Sequence, residues 1–266
     1  METLGIEILT LASGAIVGLV LGLVGGGGSI LAVPLLVYAV GLAPPHMAIG
    51  TSALAVSVSA FASLLSHWRA GTVKWPCAAT FTAAGVLGTI AGSSLAKAID
   101  GEGLLVLFGL LMLGVGAAML RRRNETGDPD IRLSGATARR LLPLLLGIGF
   151  GVGLLSGFFG IGGGFLIVPG LMLATGMPLN FAIGTSLVAV TGFGAATAAS
   201  YALSGLVDWH VAGVFIAGGL IGGLAGVALG KIMGRHGRLL GTAFAVVVIL
   251  TGIYVLVRSI LAFNVP

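Results

Sequence analysis

Residues 25–52 read GGGGSILAVPLLVYAVGLAPPHMAIGTS, and residues 160–186 read GIGGGFLIVPGLMLATGMPLNFAIGTS. Each stretch runs from a glycine cluster through Val-Pro (Val33-Pro34, Val168-Pro169) to Ala-Ile-Gly-Thr-Ser, at residues 48–52 and 182–186. The offset between the copies is 134 to 135 residues. Further along, Gly71-x-Val73-x-Trp75 recurs as Gly205-x-Val207-x-Trp209, and Lys97 matches Lys231. So many matches in one register mark an internal repeat.

Outside these stretches the chain is apolar. Of 266 residues, 57% are hydrophobic and 8% charged, and 47 are glycine. A soluble domain carries about 25% charge to face water, so a mean hydropathy of +1.15 excludes cytosolic enzymes and nucleic-acid readers despite a pI near 10.0. The apolar runs are continuous rather than alternating, which argues for helices and against a β-barrel. Cys77 is the single cysteine, so no disulfide or cysteine-rich metal site is expected. The first residues carry Glu2 and Glu7 and no basic residue, unlike a cleavable leader.

Apolar runs divide each half into five segments. The first half gives Leu4–Val24, Ser29–Leu42, Met47–Ser66, Trp75–Ala96 and Gly103–Leu120. The second gives Leu141–Phe159, Phe165–Thr175, Phe181–Leu203, Trp209–Leu229 and Leu239–Leu261. The second segment of each half is too short to cross alone, since fourteen residues at a helical rise reach about 21 Å against roughly 30 Å of hydrocarbon. The expected fold is therefore an all-α polytopic membrane protein with 8–10 spans. It comprises a first repeat (1–120), a hydrophilic linker (121–140) and a second repeat (141–266).

Basic residues supply the orientation. Arg69 and Lys74 follow the third segment, six arginines lie in the linker, and Lys231, Arg235 and Arg238 follow the ninth. Setting all three regions in the cytoplasm puts eleven of thirteen basic residues inside, as the positive-inside rule requires. Only Lys97 and Arg258 then fall outside, with both termini. Five segments separate equivalent loops, so the halves are expected to be inverted repeats, an architecture of secondary transporters. Trp68, Trp75 and Trp209 read as interface anchors.

Chemistry is sought where glycine does more than pack. Gly14, Gly18 and Gly22 share a helical face, as do Gly218, Gly222, Gly226 and Gly230, and read as close-packing surfaces. Consecutive glycines form no face and cost about 1 kcal/mol each in a helix. Gly25, Gly26, Gly27, Gly28 and Ser29, with Gly160, Gly162, Gly163 and Gly164, therefore read as helix breaks whose freed N–H groups attract an anion. Gly50-Thr51-Ser52 and Gly184-Thr185-Ser186 lie one turn into their helices. Their hydroxyls are candidate donors to the same anion; the competing reading has them bond back to carbonyls of the preceding turn. His46 and its counterpart Asn180 are candidates for proton coupling or gating, against a plain interfacial role. No Asp, Glu, Lys or Arg falls mid-span, so a carboxylate relay or cation cage lacks its residues. No metal or cofactor is expected. Cys77 reads as a small hydrophobe.

The paired glycine clusters before Val-Pro, the repeated Gly-Thr-Ser and the Gly-x-Val-x-Trp loops resemble the TauE/SafE family of sulfite exporters, also called the toluene sulfonate uptake permease family. The resemblance covers nearly the whole chain and occurs in both halves. It implies a non-enzymatic cytoplasmic-membrane transporter that exports sulfite, sulfonates or related sulfur anions, its partners being that small anion and the lipid bilayer. A transporter or channel for another small anion or metabolite is the alternative. An intramembrane serine protease would need a buried Ser–His pair, and a cation channel would need buried carboxylates or a His/Cys cluster; the sequence offers neither. Ser29 against Gly164 and His46 against Asn180 are the departures from a tidy repeat.

Overall fold

A chain in hydrocarbon must satisfy its backbone internally, and apolar runs do so as helices. The computed structural model describes residues 2–121, 128, 131, 133, 135–160, 164–233 and 237–263. Its helices are α1 (Glu2–Val24), α2 (Ala32–Pro34), α3 (Pro45–Arg69), α4 (Trp75–Ala96), α5 (Gly101–Arg121), α6 (Gly135–Phe159), α7 (Gly164–Thr175), α8 (Leu179–Ala202), α9 (Trp209–Met233) and α10 (Gly237–Phe263). No strand occurs among the described residues. Seven helices there are long and apolar enough to cross a membrane: α1, α3, α4, α5, α6, α8 and α9. Ala245–Leu261 of α10 is a shorter apolar stretch.

Proline and glycine set the boundaries. Pro45 and Pro76 open α3 and α4 in the first turn, where a missing N–H costs nothing. Gly71 and Gly205 turn the chain after α3 and α8 with φ of 69° and 70°, and Gly41 and Gly176 match at 79° and 76°. The repeat thus extends to left-handed turns that only glycine adopts readily. The expected second segment of the first half is not one helix. It is a 3₁₀ stretch (Gly25–Leu31), the single turn α2 and a π-helical turn (Leu35–Ala39). Its counterpart α7 is a regular helix of 12 residues. Neither is long enough to span, as expected.

Contacts are exchanged between the halves. α1 packs along α9, and its equivalent α6 packs along α4. A Cβ on Gly14, Gly18 or Gly22 would strike the carbonyls of Phe215, Gly219 or Gly223, and one on Gly218, Gly222 or Gly226 would strike those of Leu11, Ala15 or Leu19. Gly88 and Gly92 meet Phe150 and Leu154 in the same way, answered by Gly153 and Gly157 against Gly85 and Thr89. Both pairs run parallel at backbone contact, the reason these faces carry no side chain. Equivalent helices pack antiparallel: α3 crosses α8 with the Ser57 hydroxyl donating to the Thr191 carbonyl (2.8 Å), and α5 lies along α10 with Gly109 near Leu256 and Gly116 near Ile249.

The linker departs from a purely solvated reading. Asp128 is exposed, but Ile131 and Leu133 are half-buried against the core, and the Asp128 N–H donates to the Gly176 carbonyl (3.0 Å). Gly176 follows α7 and Asp128 precedes α6, so that pair of helices leaves and returns at one end of the bundle. Arg122, Arg123 and Arg132 lie outside the described residues.

The parallel seams predict a sharp positional effect. Gly222→Leu should lower the unfolding temperature of the purified protein steeply, since overpacking costs about 1–3 kcal/mol even where side chains can yield and here the obstacle is backbone. Gly213→Leu, where an added Cβ meets nothing, should leave it within a few degrees.

Candidate functional site

The two Gly-Thr-Ser motifs sit near opposite ends of the bundle, each from the second turn of a helix, α3 or α8. Thr51, Ser52, Thr185 and Ser186 are all fully buried. Each threonine oxygen accepts a backbone N–H from the other half: Thr51 from Asp208 (3.0 Å) and Thr185 from Lys74 (3.0 Å). Asp208 and Lys74 are equivalent residues, each just before the tryptophan that opens α9 or α4. The glycine before each threonine makes room for the same loop. A Cβ on Gly50 would strike the Leu206 carbonyl, and one on Gly184 would strike Thr72, the residue equivalent to Leu206.

Both serine hydroxyls bond back within their helices, Ser52 to the Ile49 carbonyl (2.9 Å) and Ser186 to the Ile183 carbonyl (2.7 Å). This is the local alternative raised by the residue type. Ser52 also reaches the Gly160 carbonyl (3.4 Å). Gly160 ends α6 at φ 66°, and the Ile49 side chain occupies the space a Cβ would take. The Gly-Thr-Ser of the first half thus meets the glycine cluster of the second. In the other direction α8 packs on the Gly25–Leu31 stretch, in which Gly28 and Ser29 are buried. Gly164 is buried at the start of α7; Gly162 and Gly163 lie outside the described residues.

Other candidates fall nearer the ends. The His46 ring bonds the Ala96 carbonyl at the end of α4 (3.2 Å), while Asn180 is exposed. His210 pairs with Glu7 in the open (3.3 Å). Trp68, Trp75 and Trp209 are 57%, 42% and 67% exposed, as lipid-facing anchors would be. Cys77 is buried beside Leu133. Among the described residues no cluster of His, Cys, Asp or Glu could hold a metal.

Several buried groups went unsingled in the sequence. Ser63 and its equivalent Thr197, with Thr82, Ser156 and Tyr201, have hydroxyls without a partner among the described residues. Ser59, Ser63 and Ser66 line a narrow notch between α3 and α9 beside Gly219 and Gly223. At the equivalent place in the other half Phe193 fills the space over Gly85 and stacks on Phe81. No sequence signal separates these hydroxyls from ordinary small packing residues, because only the crossing of the helices buries them.

The hooks make a prediction. Thr51→Val or Thr185→Val strands a buried N–H, which costs about 1–3 kcal/mol. Hydrogen exchange should accelerate at Asp208 or Lys74 respectively, and Thr→Ser should restore protection.

Comparison with known proteins agrees with this architecture. The family model described as Sulfite exporter TauE/SafE matches residues 10–255. A protein of Xylella fastidiosa (strain Temecula1) named "Probable membrane transporter protein" is 49% identical over 95% of both chains. The Bacillus subtilis "Probable membrane transporter protein YunE" is 27% identical over 85% of this chain and 89% of its own. The Arabidopsis thaliana "Sulfite exporter TauE/SafE family protein 1" is 29% identical over 53% of this chain and 31% of its own. No solved structure matches.

Proposed function

The chain belongs to the TauE/SafE family of membrane transporters, and we propose that it exports sulfite, a sulfonate or a related sulfur anion across the cytoplasmic membrane. The observation that carries this reading is the meeting of Ser52 with Gly160, which joins the polar motif of one half to the helix break of the other. At this junction the Thr51 and Ser52 hydroxyls meet the end of α6. Neutral donors and helix ends suit an anion that must be released again. On this reading Gly25–Ser29 and residues 160–164, with the two Gly-Thr-Ser motifs, line the pathway.

The exchanged pairing supports a further element of the proposal, that residues 1–120 and 141–266 are inverted repeats about an axis in the membrane plane. The Thr51–Asp208 and Thr185–Lys74 bonds are then one device at opposite faces. We assign the Lys74 end, with the linker, to the cytoplasm and the His46 end, with both termini, to the outside, since that satisfies the charge rule.

Flux decides the substrate. Proteoliposomes holding the purified protein should carry labelled sulfite or taurine faster than empty vesicles, with chloride and divalent cations as controls. Gly160→Ala, strained at φ 66° and pressed on Ile49, should cut that flux more than about tenfold. Unchanged flux would remove residues 160–164 from the pathway, and chloride flux without sulfite flux would favour a carrier or channel for another small anion. Orientation is read separately. In a Cys77→Ala background, Asp128→Cys should react with an impermeant thiol reagent only from the cytoplasmic side, and Ser204→Cys only from outside.

A further inference from the structure

The buried motifs contain no positive charge. Lys97 carries one that meets no carboxylate among the described residues. It caps α4 and is half-buried. Its ammonium donates to the Ser200 carbonyl (3.2 Å), the Ser200 hydroxyl (3.1 Å) and the Ser204 hydroxyl (3.1 Å), all on α8 or just beyond it. All of these acceptors are neutral. Of the acids at this end, Asp100 accepts the Gly103 N–H (2.7 Å), Asp208 accepts the Val211 N–H (3.0 Å), Glu7 faces His210 and Glu102 is exposed in the first turn of α5. The carbonyl ends of α4 and α8 offset part of this charge, and the remainder can meet a counter-ion.

What surrounds it can receive one. The Ser200 hydroxyl lies within hydrogen-bond distance of the Ser93 hydroxyl (3.0 Å), which also reaches the Ile90 carbonyl (3.0 Å), and of Lys97, while the Ser204 hydroxyl donates to the Ser200 carbonyl (3.2 Å). The Tyr201 ring lies 5.7 Å from the ammonium, and its phenol is fully buried without a partner. Tyr201 also packs on Gly50, the residue before Thr51. Tyr201 thus links Lys97 to the Gly-Thr-Ser of the first half by packing inside the protein.

We propose that Lys97, with Ser200, Ser204 and Tyr201, is an anion-binding station that takes a small sulfur oxyanion at the mouth of the pathway before it reaches Thr51 and Ser52. The proposal rests on the transporter reading for its ligand but not for its charge. A plain clasp between α4 and α8 would use the same hydrogen bonds without needing the charge.

Two variants separate these roles. Lys97→Gln keeps a donor for the serines and removes the charge. Ser204→Glu, at an exposed position, supplies Lys97 with a carboxylate of its own. Full-length protein in nanodiscs is titrated with sulfite and with sulfate, following its unfolding temperature, and flux is measured in parallel. Wild type should be stabilised by the anions. Both variants should fold, lose most of that stabilisation, and show an apparent KM for flux raised about tenfold with a far smaller change in maximal rate; Lys97→Arg should restore both. If Lys97→Gln folds poorly, Ser204→Glu alone carries the decision. Anion stabilisation unchanged in the variants, or absent from wild type, overturns the station. Lys97-dependent stabilisation without sulfite or taurine flux would instead uphold the station and defeat the transport reading.

Discussion

A threonine hydroxyl in each half holds the backbone N–H that leads into the fourth segment of the other half. The constraint behind it is that no water is on hand in hydrocarbon to receive a donor left outside a helix. Lys74, with φ −91° and ψ 81°, lies just ahead of α4, and its N–H is handed to Thr185. Asp208 does the same with Thr51. Much else follows from seating these loops. Gly50 and Gly184 must lack side chains to admit them. α3 and α8 must cross antiparallel with Ser57 on Thr191. α1 and α6 then find their partners in the opposite half, where glycine lets the backbones touch.

The device is repeated, but its surroundings are not. Position 74 is lysine, and its ammonium sits over the Phe181 ring (4.4 Å); position 208 is aspartate, spent on the first turn of α9. Ser59 leaves a notch between α3 and α9, while Phe193 closes the matching place between α8 and α4. The first half breaks its short segment into 3₁₀, α and π turns, whereas the second uses one helix after a left-handed Gly160. Two ends with one backbone plan and different chemistry suit a carrier that meets its substrate at one face and releases it at the other.

Much of this was legible in the chain itself. Apolar run lengths determined the long helices, because a 20-residue apolar stretch has no other stable form in lipid; Trp75–Ala96 begins and ends where the reading put it. The four-residue glycine spacing identified the seams of α1 and α9, since only close backbone contact calls for such a face. The repeat marked Gly50-Thr51-Ser52 and Gly184-Thr185-Ser186 as special, and the acidic residues fall near or beyond the ends of the apolar runs. What those motifs bond to was not legible. A threonine one turn into a helix looks the same whether it faces a ligand, its own helix or a loop about 20 residues beyond the next repeat copy, because hydrogen-bond partners distant in sequence leave no local pattern.

Tertiary structure alone decided the pairing of Thr51 with Asp208 and of Thr185 with Lys74, the meeting of Ser52 with Gly160, and the isolation of Lys97 among neutral oxygens. Each is a contact between segments some 100 or more residues apart. The sequence determined which stretches are helices and which residues recur, because hydrophobic burial and backbone freedom act locally. It left open which helix each glycine face would meet, because any smooth face fits another until the exchanged packing of the two halves selects one.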